Sequence, residues 1–142
     1  MTYDCALLLP EGGRSIHRAK EDSMKTIPNN APTNVAALDA RDPNAGNASH
    51  LYGIQYGGPK DVARIQFQHG ARGFFGSEAG VFDDDLLAIV QDRLEGFQSG
   101  PFACAENANA LQAVIAAREA LGVRVARRIA QCVLGVNETH KS

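Results

Sequence analysis

The sequence predicts an α+β fold, in which a small antiparallel β-hairpin region precedes a long antiparallel α-helical hairpin and the chain assembles as a homo-oligomer. Three patterns in the 142 residues lead to this prediction. Apolar residues alternate with other types between 51 and 68, apolar residues recur at helical spacing from 83 onward, and turn-forming residues crowd the first 47 positions. Period-two alternation is typical of a half-buried strand, and a period near 3.6 is typical of an amphipathic helix.

The first 47 residues are predicted to form an irregular N-terminal extension. Proline, glycine and asparagine recur through this stretch, and such clusters favour turns and loops over regular elements. We expect at most a short strand at residues 5–9. The remaining residues, 48–142, are then expected to form a single domain that contains both hairpins.

A β-hairpin is predicted at about residues 51–68. Two alternating runs flank a turn-rich linker at 57–61, and this arrangement is typical of two antiparallel strands with one buried face. The alternating apolar residues are Tyr52, Ile54 and Tyr56 in the first run, and Ala63, Ile65 and Phe67 in the second. A glycine-rich loop is expected to follow at 69–82.

Two helices are predicted at about 83–98 and 102–133. Asp83, Asp84 and Asp85 provide an N-cap and an acidic first turn, which the helix dipole favours. Ser99, Gly100 and Pro101 end the first helix, and the proline can open the second. The connection is short, so the two helices are expected to pack as an antiparallel hairpin.

The two predicted helices differ in length. The first has about 16 residues, or ~24 Å, and the second has about 32 residues, or ~48 Å. Folded back from the junction, the first helix reaches only to about residue 117 of its partner. Its aspartates are therefore expected near Arg118. The apolar stripe of the second helix continues beyond that point, and a second copy of the chain is the simplest way to cover it.

Composition narrows the possible functions. The chain has 14 basic and 16 acidic residues and a net charge of −2, which argues against a general binder of nucleic-acid polymers or membrane surfaces. No apolar run approaches the ~20 residues of a membrane span. The three cysteines, Cys5, Cys104 and Cys132, are widely spaced and odd in number. They are expected to be reduced thiols of a cytoplasmic protein.

Arg124 and Arg128 form the clearest candidate binding pair. Their i, i+4 spacing places both guanidinium groups on one helix face, where each can bind phosphate oxygens with two hydrogen bonds. The alternative interpretation is structural, because arginines near the end of a helix also stabilise its dipole. Phe97 and Asn107 lie at the junction of the helices, where a helix N-terminus offers N–H groups to an anion. Phe97 is equally suited to a core position.

No catalytic residue, metal site or cofactor is predicted. His17, His50, His69 and His140 are scattered along the chain without a metal-ligand spacing. Neither a GxSxG elbow nor a phosphate-binding P-loop occurs. Asp84 and Asp85 are better interpreted as helix-capping residues than as an acid–base pair.

Residues 83–111 resemble the helical-hairpin domain of phage immune-evasion sponges, the Thoeris anti-defence and anti-CBASS proteins. The resemblance is most specific at the junction 100–107, which reads GPFACAEN, and extends to the segments 124–128 and 133–137. The β-hairpin that ends at 66–72 points to the Thoeris branch. Altogether the resemblance covers about residues 50–138.

The resemblance implies a binding protein without enzymatic activity, in the cytoplasm of the infected host. It would capture a cyclic ADP-ribose isomer, glycocyclic ADP-ribose, made by bacterial TIR-domain proteins. Its pocket would lie between two protomers of a dimer, or of a hexamer built from dimers. Phe97 and Arg124 would hold the adenine, Asn107 would form a hydrogen bond, and Arg128 would contact phosphate. Arg72 would belong to a second site for cyclic oligonucleotides.

Two alternatives remain open at this point. A phosphodiesterase-like enzyme would cleave the same messenger, and a purely structural oligomeric phage protein would use the helical hairpin for assembly alone.

Overall fold

The computed structural model describes residues 24–132, and the chain divides after Gly80 into two compact units. The first unit contains a β-sheet and the second contains two helices. The α+β class is therefore confirmed. The division falls at Gly80 rather than at residue 47, where the sequence placed the end of the N-terminal extension. The strand expected at 5–9 and the helix end expected at 133 lie outside the described residues.

The sheet unit is a meander of four antiparallel strands. In chain order these are β1 (Lys25–Ile27), β2 (Asn34–Ala37), β3 (Leu51–Gln55) and β4 (Val62–Gln66), and they lie in the same order in the sheet. β3 pairs with β4 so that Tyr52 lies opposite Ile65. The predicted hairpin at 51–68 is thus confirmed.

The prediction that residues 1–47 are irregular is wrong for β1 and β2. Val35 of β2 lies opposite Ile54 of β3, and Lys25 of β1 lies opposite Ala37. This pairing buries Ala36 and Ala37, which are only 1% and 3% exposed. The strands form because β3 supplies hydrogen-bond partners to β2, and β2 in turn supplies them to β1. Local turn propensity does not reveal such pairing.

The more buried side of β3 is not the apolar side that its alternation suggested. Gly53 and Gln55 are buried, whereas Tyr52 and Ile54 are half-buried and Tyr56 is exposed. Leu38 explains the difference at Gly53, because its side chain lies where a β-carbon at that position would make contact. The half-buried side is stabilised by an edge-to-face contact between Tyr52 and Phe67.

The helical unit contains α1 (Asp83–Gln98) and α2 (Ala105–Ala130). The predicted bounds of α1 are confirmed, but its N-cap is Phe82 and not an aspartate. Asp85 acts from inside the first turn instead, since its carboxylate accepts a hydrogen bond from the Phe82 backbone N–H at 2.8 Å. α2 begins three residues later than predicted, because Cys104 takes the N-cap position and its sulfur accepts the Asn107 N–H.

The two helices run antiparallel, and Arg118 of α2 joins Asp84 of α1 with an Nε–Oδ1 distance of 2.8 Å. The expected pairing of Arg118 with the aspartates is confirmed. Neither helix contains a buried residue. Exposed apolar side chains line both helices, and the largest on α2 beyond Arg118 are Val123, Val125 and Ile129. Within the described part of the chain, neither helix is apolar enough over a sufficient length to cross a membrane.

Candidate functional site

Phe97 lies in the last turn of α1 with 39% of its surface exposed. Arg93, one turn earlier, places its guanidinium carbon 5.5 Å from the centroid of the Phe97 ring. That distance lies within the range of a cation–π interaction. Phe97 is therefore a surface aromatic in this chain, held from one side by an arginine, and not a core residue.

Asn107 lies in the first turn of α2 and belongs to a small network at the junction of the helices. The Gln98 side-chain oxygen accepts a hydrogen bond from the Cys104 N–H at 3.0 Å. The Asn107 amide donates to the Phe102 backbone carbonyl at 3.4 Å. These contacts fix the conformation of the junction, so Phe97 and Asn107 lie at the same end of the helical unit in defined positions.

Arg124 and Arg128 lie at the opposite end of α2, one helical turn apart, and Arg128 falls in its last turn. Arg124 is exposed and Arg128 is half-exposed. Both follow Arg118 along the helix, in the part of α2 that extends past the first residue of α1. The geometry suits oxyanions, because two planar guanidinium groups on one face of a helix can bind two phosphate groups.

The two groups do not meet within one chain. Asn107 and Arg124 are about 17 residues apart on one continuous helix, which corresponds to ~26 Å at 1.5 Å per residue. A single small-molecule ligand is too short to contact both Asn107 and Arg124 of the same chain. The structure thus brings Phe97 and Asn107 together at one end, and Arg124 and Arg128 together at the other.

Arg72 lies in the sheet unit, in the loop predicted at 69–82. Its Nε donates to the Gln68 side-chain oxygen, and its Nη2 donates to the Gly80 carbonyl, each at 3.4 Å. Two exposed aromatics, Phe74 and Phe75, follow at the tip of the loop between two glycines with positive φ, Gly73 and Gly76.

His50 and His69 are not scattered, as the sequence suggested, but stacked. Their ring centroids are 4.1 Å apart and their planes differ by 7°. His69 Nε2 lies 2.7 Å from Asp42 Oδ2, and its Nδ1 lies 3.6 Å from Glu78 Oε2. The hydrogen bond to Asp42 raises the pKa of His69 above 6.5, and the same bond lowers the pKa of Asp42 below 3.8. Sequence spacing gave no signal for this cluster, because strand pairing creates it.

The cluster is arranged to hold segments together rather than to move a proton. Both ring nitrogens of His69 already face carboxylates, so neither is directed at an incoming substrate. Among residues 24–132, no three histidine, cysteine, aspartate or glutamate side chains are placed so that they could hold a metal ion.

The fold and these side chains define a class of small α+β proteins, in which a helical hairpin carries an aromatic–amide group at one end and paired arginines at the other. No protein-family model matches the chain. The Thoeris anti-defense 1 protein of Bacillus phage SBSphiJ7 is 32% identical over 140 residues, covering 92% of this chain and 94% of that protein. The chain therefore belongs to the Thoeris anti-defence family, and the resemblance drawn from its sequence is confirmed.

Proposed function

We propose that the protein counters Thoeris defence by binding glycocyclic ADP-ribose and withholding it from its effector, without breaking it down. The observation that carries the proposal is the separation of two complementary groups at opposite ends of the helical hairpin. Phe97 and Asn107 suit a nucleobase, and Arg124 and Arg128 suit phosphates. The relative from Bacillus phage SBSphiJ7, named Thoeris anti-defense 1, supports the anti-Thoeris role.

Two copies of the chain unite the separated groups. Two α2 helices can run antiparallel around a two-fold axis that passes at about residue 116. Asn107 of one copy is then level with the partner's Arg124. The same axis generates a second, identical pocket at the other end. A homodimer with two shared pockets is therefore the simplest assembly in which all four side chains contact one ligand.

The exposed apolar face of α2 supports the same assembly. Leu121, Val125 and Ile129 are spaced one helical turn apart, and the last two are exposed in the single chain. Covering such side chains contributes about 25 cal/mol for each Å² of apolar surface removed from water. A second copy that covers this apolar face, which extends past α1 next to the arginines, thus stabilises the dimer.

The side chains of the proposed pocket suit binding of the messenger without cleavage. Two guanidinium groups neutralise a pyrophosphate, an aromatic face stacks on a base, and a junction fixed by hydrogen bonds is in place before the ligand arrives. Turnover would need a group that stabilises bond breaking more than it stabilises the bound messenger. Arginine, phenylalanine and asparagine at these positions supply tight ground-state binding instead.

Recovery of the bound messenger tests the proposal. Glycocyclic ADP-ribose is incubated with excess protein, the free fraction is measured after filtration, and the protein is then heat-denatured. We expect the messenger to leave solution on mixing and to return with unchanged mass and unchanged ability to activate the Thoeris effector. Arg41→Ala serves as the charge control, because it removes one positive charge from the sheet unit, outside the helical hairpin.

Two outcomes contradict the proposal in different ways. Recovery of linear ADP-ribose at a rate that rises with protein concentration identifies an enzyme that cleaves the messenger. A messenger that stays in solution at every protein concentration contradicts binding and favours the alternative of a structural protein.

A further inference from the structure

Arg93 lies within a stripe of exposed apolar side chains on α1. Ile89 precedes it by one turn and Phe97 follows it by one turn, and these two are 59% and 39% exposed. Val90, beside Ile89, is 43% exposed. A positive charge inside such a stripe is costly once the stripe is covered, unless it gains a specific partner. The Phe97 ring is such a partner, at 5.5 Å.

The position of Arg93 decides which side of Phe97 a ligand can use. A phenyl ring has two faces on which a flat base can stack, and the Arg93 guanidinium lies over one of them. That face is occupied, so a base must approach from the other. The interaction also restrains rotation of the ring, because turning it would separate the guanidinium from the π-electrons.

We propose that Arg93 is a positioning residue for the nucleobase of the bound messenger, a role that rests on the proposed function. It covers one face of Phe97 and leaves the opposite face as a rigid stacking platform. Arg93 acts through Phe97 and need not touch the ligand.

The side chain at position 93 suits this role by its shape. Its guanidinium is planar and weakly hydrated, so it lies flat on a ring, which the compact ammonium group of lysine does less well. Assembly of a second copy over the stripe would exclude water from the Arg93–Phe97 pair, and cation–π attraction is stronger when both groups are desolvated.

A double-mutant cycle tests the proposal, with glycocyclic ADP-ribose titrated calorimetrically into the full-length protein. Arg93→Ala should weaken binding by about two- to fivefold, the size expected of one cation–π interaction. Arg93→Lys should fall between that variant and the wild type. In a Phe97→Leu background, which keeps an apolar side chain but removes the ring, Arg93→Ala should have no further effect.

The controls separate positioning from charge and from stability. Arg41→Ala removes one positive charge from the sheet unit and should bind like the wild type. Melting temperatures should show that Arg93→Ala remains folded. Wild-type affinity in Arg93→Ala, or the same loss in the Phe97→Leu background as in the wild type, overturns the positioning role and leaves the proposed function intact. Absence of binding by the wild type overturns both.

Discussion

The guanidinium group of Arg118 binds both carboxylate oxygens of Asp84, with Nε–Oδ1 and Nη2–Oδ2 distances of 2.8 and 3.2 Å. Its remaining nitrogen, Nη1, donates to the Gln91 side-chain oxygen at 2.8 Å. The hydrogen bonds from Arg118 lower the pKa of Asp84 and those to Asp84 raise the pKa of Arg118. One side chain of α2 thus contacts two turns of α1, and this contact fixes how far the two helices are shifted along each other.

Removing this pair should destabilise the helical unit modestly. Arg118→Ala should lower the melting temperature by no more than about a few degrees, because the two side chains are 33% and 48% exposed and water screens their attraction. Asp84→Asn should have a smaller effect in the Arg118→Ala background than alone. Circular dichroism gives the melting temperatures of the wild type, the two single variants and the double variant. Fully additive changes in melting temperature would show that the two side chains do not stabilise each other.

Substituting Gly80 should destabilise the sheet unit more strongly. A β-carbon at this position would overlap the backbone of Gln66 and Phe67, which cannot move without disturbing the end of β4. Gly80→Ala should therefore cost about 1–3 kcal/mol of unfolding free energy. The matched control is Gly96→Ala in α1, where a β-carbon meets nothing within 4 Å. That variant should gain about 0.5–1 kcal/mol from reduced backbone entropy. Urea titration compares the two, and an equal response would contradict the overlap.

The arginines at the end of α2 should contribute to ligand binding. Arg124→Ala or Arg128→Ala should weaken the binding of glycocyclic ADP-ribose by ~1.5–3 kcal/mol, the value of a hydrogen bond to a charged group. Arg41→Ala, in the sheet unit, should leave the affinity unchanged. Isothermal titration calorimetry is the measurement. Unchanged affinity in both arginine variants would remove them from the site.

A pocket shared between two chains predicts complementation. Phe97→Ala and Arg124→Ala should each weaken binding when expressed alone, because the substitution is present in both pockets of such a dimer. In a mixed dimer one pocket carries both substitutions and the other carries neither. Co-expression in equal amounts should therefore restore about one quarter of the pockets, for random pairing in a two-fold dimer. Light scattering of each variant checks that the dimer persists. No recovery on co-expression would show that Phe97 of one chain and Arg124 of its partner do not form a shared pocket.

The stability of the sheet unit should depend on pH through His69 and Asp42. Because the pKa of His69 is raised in the folded chain, its contribution is complete below pH 6.5 and is lost as the pH rises through the raised value. Because the pKa of Asp42 is lowered, its contribution is complete above pH 3.8 and is lost as the pH falls through the lowered value. The stability should thus be greatest between these limits.

NMR titration of the His69 ring protons should give a midpoint above 6.5, and Asp42→Asn should lower that midpoint. His69→Gln should reduce the loss of unfolding free energy that occurs as the pH rises above 6.5. A His69 midpoint at or below 6.5 would show that the carboxylate does not favour the protonated ring.

The sequence alone determined the helical hairpin in most of its detail. The bounds of α1 follow from three consecutive aspartates and a Ser–Gly–Pro stop, and the pairing of Arg118 follows from the lengths of two helices joined by a short turn. Helix signals lie within a few residues of the structure that they specify, since each hydrogen bond spans four residues. The candidate residues Phe97, Asn107, Arg124 and Arg128 were predicted from the sequence, by spacing and by family resemblance, and they stay a prediction.

The tertiary structure decided what depends on distant partners. Strands β1 and β2 have three and four residues, and they exist because β2 pairs with β3 and β1 pairs with β2. The stacking of His50 on His69 requires the register between β3 and β4 to bring residues 19 positions apart into contact. The burial of Gln55 and the exposure of Tyr56 likewise reverse the preference of each side chain. Such features are set by strand pairing and packing, whose free energy comes from contacts between segments and is not encoded in any single window of the sequence.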